Sequence, residues 1–397
     1  MESRYRGILF LNGEPMERVF QDNFSLRGEV GASVAVWRDG VEAVSLAGGL
    51  REKGGNLPWE KDTLVPVWSA TKGLSAAAFL LALDEAGKDL DEEVATVWEG
   101  LGSGAKAGLT FGQVLSHQAG LPALDEAVQI ADHEGVVRAL EGQVQAWRPG
   151  EGRHGYHPRT WGFIVDELLR RLTGARCLGE YWRERLAIPL GLDLWIGELT
   201  ADVYGRVAPV YAGKPRPEGL GEDGPFYNAF GKVDSLTHRA FTSPRGLDGV
   251  SRFNDPSAWN MGLAAMGGLA TASGLAKFYG ILACGGEWGG ERIFSERVMG
   301  WMETVLVDGD DLVFLRPTAF GAGMMKDPVD GVNGEKVRSI FGPSTRAFGH
   351  PGAGGSHGFA DPERRMGFGY VMNQMELGIL PKEKAMGLVG AVYGTQD

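Results

Sequence analysis

Short β-prone runs sit at both ends of the chain, and longer helix-periodic stretches fill its middle. Residues 32–37 (ASVAVW) and 42–47 (EAVSLA) flank Arg38-Asp39-Gly40. An Asp-Gly step between two such runs predicts a β-hairpin, because both residues tolerate the positive φ that a tight turn needs. Near the other end, 346–350 (RAFGH), 356–361 (SHGFAD) and 366–373 (MGFGYVMN) read as three further strands. Gly352 and Gly354-Gly355 separate the first two, and DPERR (361–365) turns the second into the third. Residues 381–394 read as a closing helix. Between these ends the spacing predicts helices over 70–88, 110–120, 134–147, 159–174, 179–191 and 267–286. Within the first of them, 74–83 is almost continuously apolar, the mark of a buried central helix. Strands from both ends with helices between predict an α/β fold of the α+β type. One antiparallel sheet is built from distant segments and flanked by helices, and a mostly helical region is inserted.

Residues 213–259 break the periodicity. They are rich in Gly and Pro and carry Phe226, Tyr227, Phe230, Phe241 and Phe253. A stretch of that length is either a functional wall or lid, or a packed structural excursion.

Composition narrows the function classes. The 397 residues suffice for a sizeable core, and the 62 glycines imply many tight turns and close backbone approaches. A net charge of -12 argues against nucleic acid or an anionic membrane surface as the main partner. The only cysteines, Cys177 and Cys284, make no C-x-x-C pattern, so neither a disulfide framework nor a zinc or redox motif is expected. The N-terminal residues 1–15 lack the apolar core of a signal peptide, and the longest apolar run, 76–83, is too short to span a bilayer. These features predict a soluble cytoplasmic protein, and the Asn23-Phe24-Ser25 sequon is discounted on the same ground. Oligomeric state is not legible.

Three serines compete as nucleophile. Gly354-Gly355-Ser356-His357-Gly358 fits the G-x-S-x-G elbow. An elbow needs a helix after the serine and a later histidine. Here a strand follows, and the one later histidine, His357, is adjacent and points to the opposite face. Ser356 therefore reads as part of a strand connection. The alternative is S-x-x-K, which places serine and lysine on one face at a helix start. Ser103 and Lys106 have the spacing but lie in a Gly-rich loop. Ser69 and Lys72 have it at the head of the apolar 74–83 helix, where a desolvated lysine gives up its proton more readily. On spacing alone, Ser69 could equally be a helix cap. Tyr156, before the amphipathic 159–174 helix, sits in a Gly- and Pro-bearing loop suited to reach into a cleft. His154 and His157 beside it lack a third ligand at metal spacing, so no metal is expected.

In this order SATK (69–72), LSHQAGLP (115–122), GYHPRTWGFIVDELLRRLTG (155–174) and GHPGAGGSHGFADPERRMGFGYVMNQM (349–375) resemble the serine β-lactamase and penicillin-binding-protein fold. Within it they are most similar to the class C β-lactamase-related, family VIII, carboxylesterases. The resemblance implies a β-lactamase/transpeptidase-like fold with a single catalytic domain over 20–390. The sheet region would span about 20–68 and 265–395, and the mostly helical region about 69–264. It further implies Ser69 as acyl-forming nucleophile, Lys72 as its basic partner and Tyr156 as proton relay. His350 and Gly352 would face the substrate, and the N–H groups of Ser69 and Ala353 would form the oxyanion hole. Two departures favour a neutral ester over a β-lactam. The tyrosine motif ends in Pro158 where β-lactamases have asparagine, and His350 stands where most have lysine. The resulting expectation is a cofactor-free serine hydrolase of small-molecule carboxylic esters. Alternatives on the same site are a β-lactamase, a D-aminopeptidase or DD-peptidase-like amide hydrolase, or an acyltransferase. A non-catalytic penicillin-binding or regulatory protein is the alternative of another class.

Overall fold

The structure is a computed structural model and describes residues 6–9, 14–214 and 220–394. Most of the N-terminal stretch read for a signal peptide, and residues 215–219 of the aperiodic segment, lie outside the described residues.

A nine-stranded antiparallel sheet organises the chain. Its strands are β1 (Arg6–Leu9), β2 (Gly31–Arg38), β3 (Val41–Gly49), β4 (Val307–Asp310), β5 (Pro317–Phe320), β6 (Met325–Lys326), β7 (Phe348–Pro351), β8 (His357–Asp361) and β9 (Met366–Met372). The spatial order is β1-β3-β2-β9-β8-β7-β6-β5-β4, so N-terminal and C-terminal strands meet at the β2/β9 pair. The predicted hairpin is present, with Asp39 and Gly40 at φ 50° and 79°, and so are the three C-terminal strands. The fold class expected from the strand and helix pattern holds.

Helices cover both faces. On one side, α1 (Glu14–Ser25) pairs with the closing helix α5 (Glu383–Gly394). Met16, Phe20, Leu388 and Val389 share an apolar cluster there with Phe359 and Phe368 of the sheet. On the other side, α4 (Ala272–Ala283) lies directly on β9. Gly367 and Gly369 permit that approach, since a Cβ at either would fall 2.1–2.3 Å from backbone atoms of α4. Beyond α4 lies the helical region, centred on α2 (Thr71–Glu85). All of its residues from Thr71 to Leu83 are buried, as its continuous apolarity predicts, and it packs on α3 (Thr160–Thr173).

Several boundaries depart from expectation. The helix expected over 110–120 stops at Leu115, because the chain turns at His117 with φ 64°. That expected over 134–147 ends at Gly142. Residues 268–270 are strand before α4 begins, pairing with 65–66 and 194–196. The aperiodic segment contains short helices at Gly224–Phe230, Leu236–Thr242 and Pro256–Asn260. Each is too short to generate a readable period.

Candidate active site

Ser69 precedes α2 rather than capping it. The N-cap position is Ala70, without a side-chain cap, so the capping alternative does not hold. The turn carrying Ser69 is strained, with Trp68 at φ 51°, a conformation costly for a bulky side chain. It is held by its neighbours. Thr71 N–H donates to Trp68 O at 3.0 Å, and Thr71 Oγ1 accepts from Gly268 N–H at 2.8 Å.

Lys72 lies one helical turn on and is fully buried. Its Nζ donates to Pro158 O at 2.9 Å and Ala265 O at 3.1 Å, and stands 4.6 Å from the Tyr156 ring centroid. Burial drives its pKa well below the ordinary lysine value, and no ion pair to a carboxylate opposes this among the described residues. Tyr156 is also buried, and desolvation raises its pKa while a hydrogen bond with Ser69 lowers it. SATK and the tyrosine loop therefore meet, although 83 residues separate Lys72 from Tyr156.

β7 forms the opposite wall. His350 Nδ1 is 2.8 Å from Pro351 O, so it carries the proton and leaves Nε2 as an acceptor, 3.5 Å from the Tyr156 hydroxyl. Burial, reinforced by Lys72, lowers the His350 pKa to about 3, so the ring is neutral. Gly352 does not line the cavity. It packs against the Ser69 turn, where a Cβ would fall 2.0 Å from Val67 O. Ala353 does face the cavity, and among the described residues no backbone carbonyl accepts from the N–H of Ser69 or Ala353. Ser356 is fully buried away from the cavity. Its carbonyl accepts from Gly352 N–H at 2.7 Å, and its hydroxyl has no hydrogen-bond partner among the described residues.

The cavity of about 320 Å³ is largely apolar, with walls that include Phe226, Tyr227, Phe230, Phe241, Phe314 and Ile379. Four of these come from the aperiodic segment, which the structure thus places as a wall. Arg159 is the one lysine or arginine lining it among the described residues, and its Nη1 is engaged by Pro244 O and Gly246 O, each at 2.7 Å.

The paired histidines have other partners. His157 Nδ1 is bonded to Gly155 O at 2.6 Å and its Nε2 accepts from Leu121 N–H at 2.9 Å. His154 Nε2 is 2.7 Å from Thr318 Oγ1. Ser103 is exposed before a short 3-10 turn, and Lys106 is buried with Nζ donating to Glu141 O and Gln143 O. Sequence reasoning assigned no role to His117, whose ring packs 4.7 Å from that of Tyr156, or to Asp311 beneath it. His117 lies within the LSHQAGLP motif, whereas Asp311 has no local sequence signal.

With fold and site in place, the class is defined: the chain belongs to the Beta-lactamase family, whose profile matches residues 16–385, and it is a hydrolase. An "Esterase/beta-lactamase LipL" from Mycobacterium tuberculosis (strain ATCC 25618 / H37Rv) is 31% identical over 388 residues, spanning 95% of this chain and 84% of that protein. A family VIII carboxylesterase structure matches with TM-score 0.86 at 30% identity, covering 99% of this chain and 100% of that one. A penicillin-binding-protein homologue from Caulobacter crescentus matches with TM-score 0.85 at 30% identity and the same coverage.

Proposed function

We propose that the protein is a carboxylesterase acting on neutral, apolar esters through an acyl-enzyme on Ser69. The observation that carries this is Ser69 and Tyr156 lining an aromatic cavity with Lys72 buried behind them, 4.6 Å from the Tyr156 ring centroid, and no unengaged lysine or arginine lining it among the described residues. Ser69 Oγ bonds to the ester carbonyl carbon as its proton passes to the Lys72/Tyr156 pair. The two titrate as a coupled pair, so the base is assigned to the pair. The carbonyl oxygen becomes an oxyanion facing the N–H groups of Ser69 and Ala353, each contributing about 3 kcal/mol of transition-state stabilisation. The C–O bond to the alcohol then breaks as Tyr156 supplies its proton. Water, deprotonated by the same pair, attacks the acyl carbon and releases the acid and free Ser69.

A β-lactam carries a carboxylate, and the cavity offers it only an engaged arginine and a neutral histidine. The name of the LipL relative includes both activities, so both are tested together. Ser69→Ala is expected to lower kcat on 4-nitrophenyl butyrate by about 10⁴-fold or more, while Ser356→Ala keeps most of it. Nitrocefin should turn over far more slowly than the ester, and intact mass should place a butyryl group on Ser69. An active Ser69→Ala enzyme would refute the reading.

A further inference from the structure

Asp311 lies outside every sequence motif and does not line the cavity. It is 1% exposed, and both carboxylate oxygens stand 3.0 Å from the Tyr156 N–H. Oδ1 also accepts from the N–H groups of Val313 and Phe314, each at 2.8 Å. Oδ2 accepts from the Thr318 hydroxyl at 3.2 Å, and that hydroxyl is in turn 2.7 Å from His154 Nε2. Every one of these direct partners is a donor, which suits an ionised carboxylate. Burial raises the Asp311 pKa, and the backbone donors and His154 counter it.

The same carboxylate therefore fixes two backbones whose side chains touch. The Phe314 ring stacks on the Tyr156 ring with centroids 4.4 Å apart and planes 17° apart. The tyrosine is held from its own peptide N–H and from the plate against its face. We infer that Asp311 is a positioning residue, clamping Tyr156 and Phe314 together so that the Tyr156 hydroxyl stands over Ser69. The inference rests on Tyr156 being the proton-transfer residue of the proposed reaction. The charged or titratable groups facing Tyr156 are Lys72 from α2, His117 from the turn after residue 115, His350 from β7 and Asp311 itself. Asp311 thus adds a negative charge near a phenol that must carry a proton at the moment the alcohol leaves.

The test compares wild type, Tyr156→Phe, Asp311→Asn and the double variant on ethyl and 4-nitrophenyl esters of one acid. A misplacement near 1 Å costs about 10²-fold. Asp311→Asn should therefore lower kcat on the ethyl ester by about 10- to 100-fold, with KM changed less than about threefold. The loss on the 4-nitrophenyl ester should be smaller, since its leaving group departs without a proton, and Tyr156→Phe should show the same bias. Added to Tyr156→Phe, Asp311→Asn should cost less than about threefold more. Multiplicative losses in the double variant, equal losses on both esters, or full activity of Asp311→Asn would overturn the inference. If Asp311→Asn does not fold, Thr318→Val, which removes one donor to the carboxylate, decides by the same pattern. A fully active Tyr156→Phe enzyme would instead sink the reading of the site, and this inference with it.

Discussion

At Lys72, burial and hydrogen bonding pull in opposite directions. Two carbonyls and a tyrosine ring suit an ammonium, whereas complete desolvation disfavours the charge and dominates. The consequence for stability has a definite sign. In the window between the depressed folded pKa and the unfolded value of about 10.4, the unfolded chain binds the extra proton. Wild-type stability therefore rises with pH there, by up to about 1.4 kcal/mol per pH unit. Lys72→Met lacks that slope, so its stability relative to wild type should decline from pH 7 to pH 10, as read by urea unfolding. A gap independent of pH would mean that Lys72 is not depressed. For catalysis, activity should fall as pH drops through the depressed Lys72 value. His350, with a pKa near 3, should add no inflection around 6.5. Ser69 and Lys72 were readable from their local spacing, Tyr156 from its loop before an amphipathic helix, and His350 only through the family resemblance. Asp311 was not, since a lone aspartate acquires its partners only when the strands on either side of it fold against the tyrosine loop.

The elements that matter most are two turns pressed together, the Ser69 turn and the one following β7. Gly352 sits at their contact. Gly352→Ala should force them apart, because the new Cβ would overlap Val67 O. The Ala353 N–H would move with its neighbour. The expected result is a loss in kcat of about 10²-fold or more, with a circular-dichroism spectrum like that of wild type. An unchanged kcat would show that Ala353 does not serve the oxyanion. At this scale the hairpin, the C-terminal strands and the core helix were readable, since each repeats its period over enough residues. The 110–120 helix was misjudged because nothing in LSHQAGLP announces the positive φ of His117. The aromatic wall was readable in composition but not in form, its helices running only five to seven residues.

Across the whole molecule, N-terminal and C-terminal segments are tied by a buried cluster. Lys384 Nζ of α5 is 3.3 Å from Glu29 Oε1 and donates to Gln374 O, while Tyr370 of β9 donates to Glu29 Oε2 at 2.6 Å. Lys384→Met would strand a buried carboxylate, and should destabilise the protein by about 3–5 kcal/mol in denaturant unfolding. A loss below 1 kcal/mol would mean that Glu29 is neutral. The overall architecture was legible as strands at both ends with helices between. The strand order was not, because it depends on pairings such as β2 with β9 that no local pattern encodes.

That pairing also sets a timetable. Ser69 lies early in the chain, but Ala353 follows β7, and within the sheet β7 is joined to the N-terminal hairpin through β8 and β9. During synthesis, the sheet that backs the β7 wall is therefore completed only when residues through about 372 are free to pair. Until then, the nascent chain carries Ser69 and Lys72 beside an unfinished sheet. Ester turnover by ribosome-bound chains should switch on abruptly once β9 has left the exit tunnel.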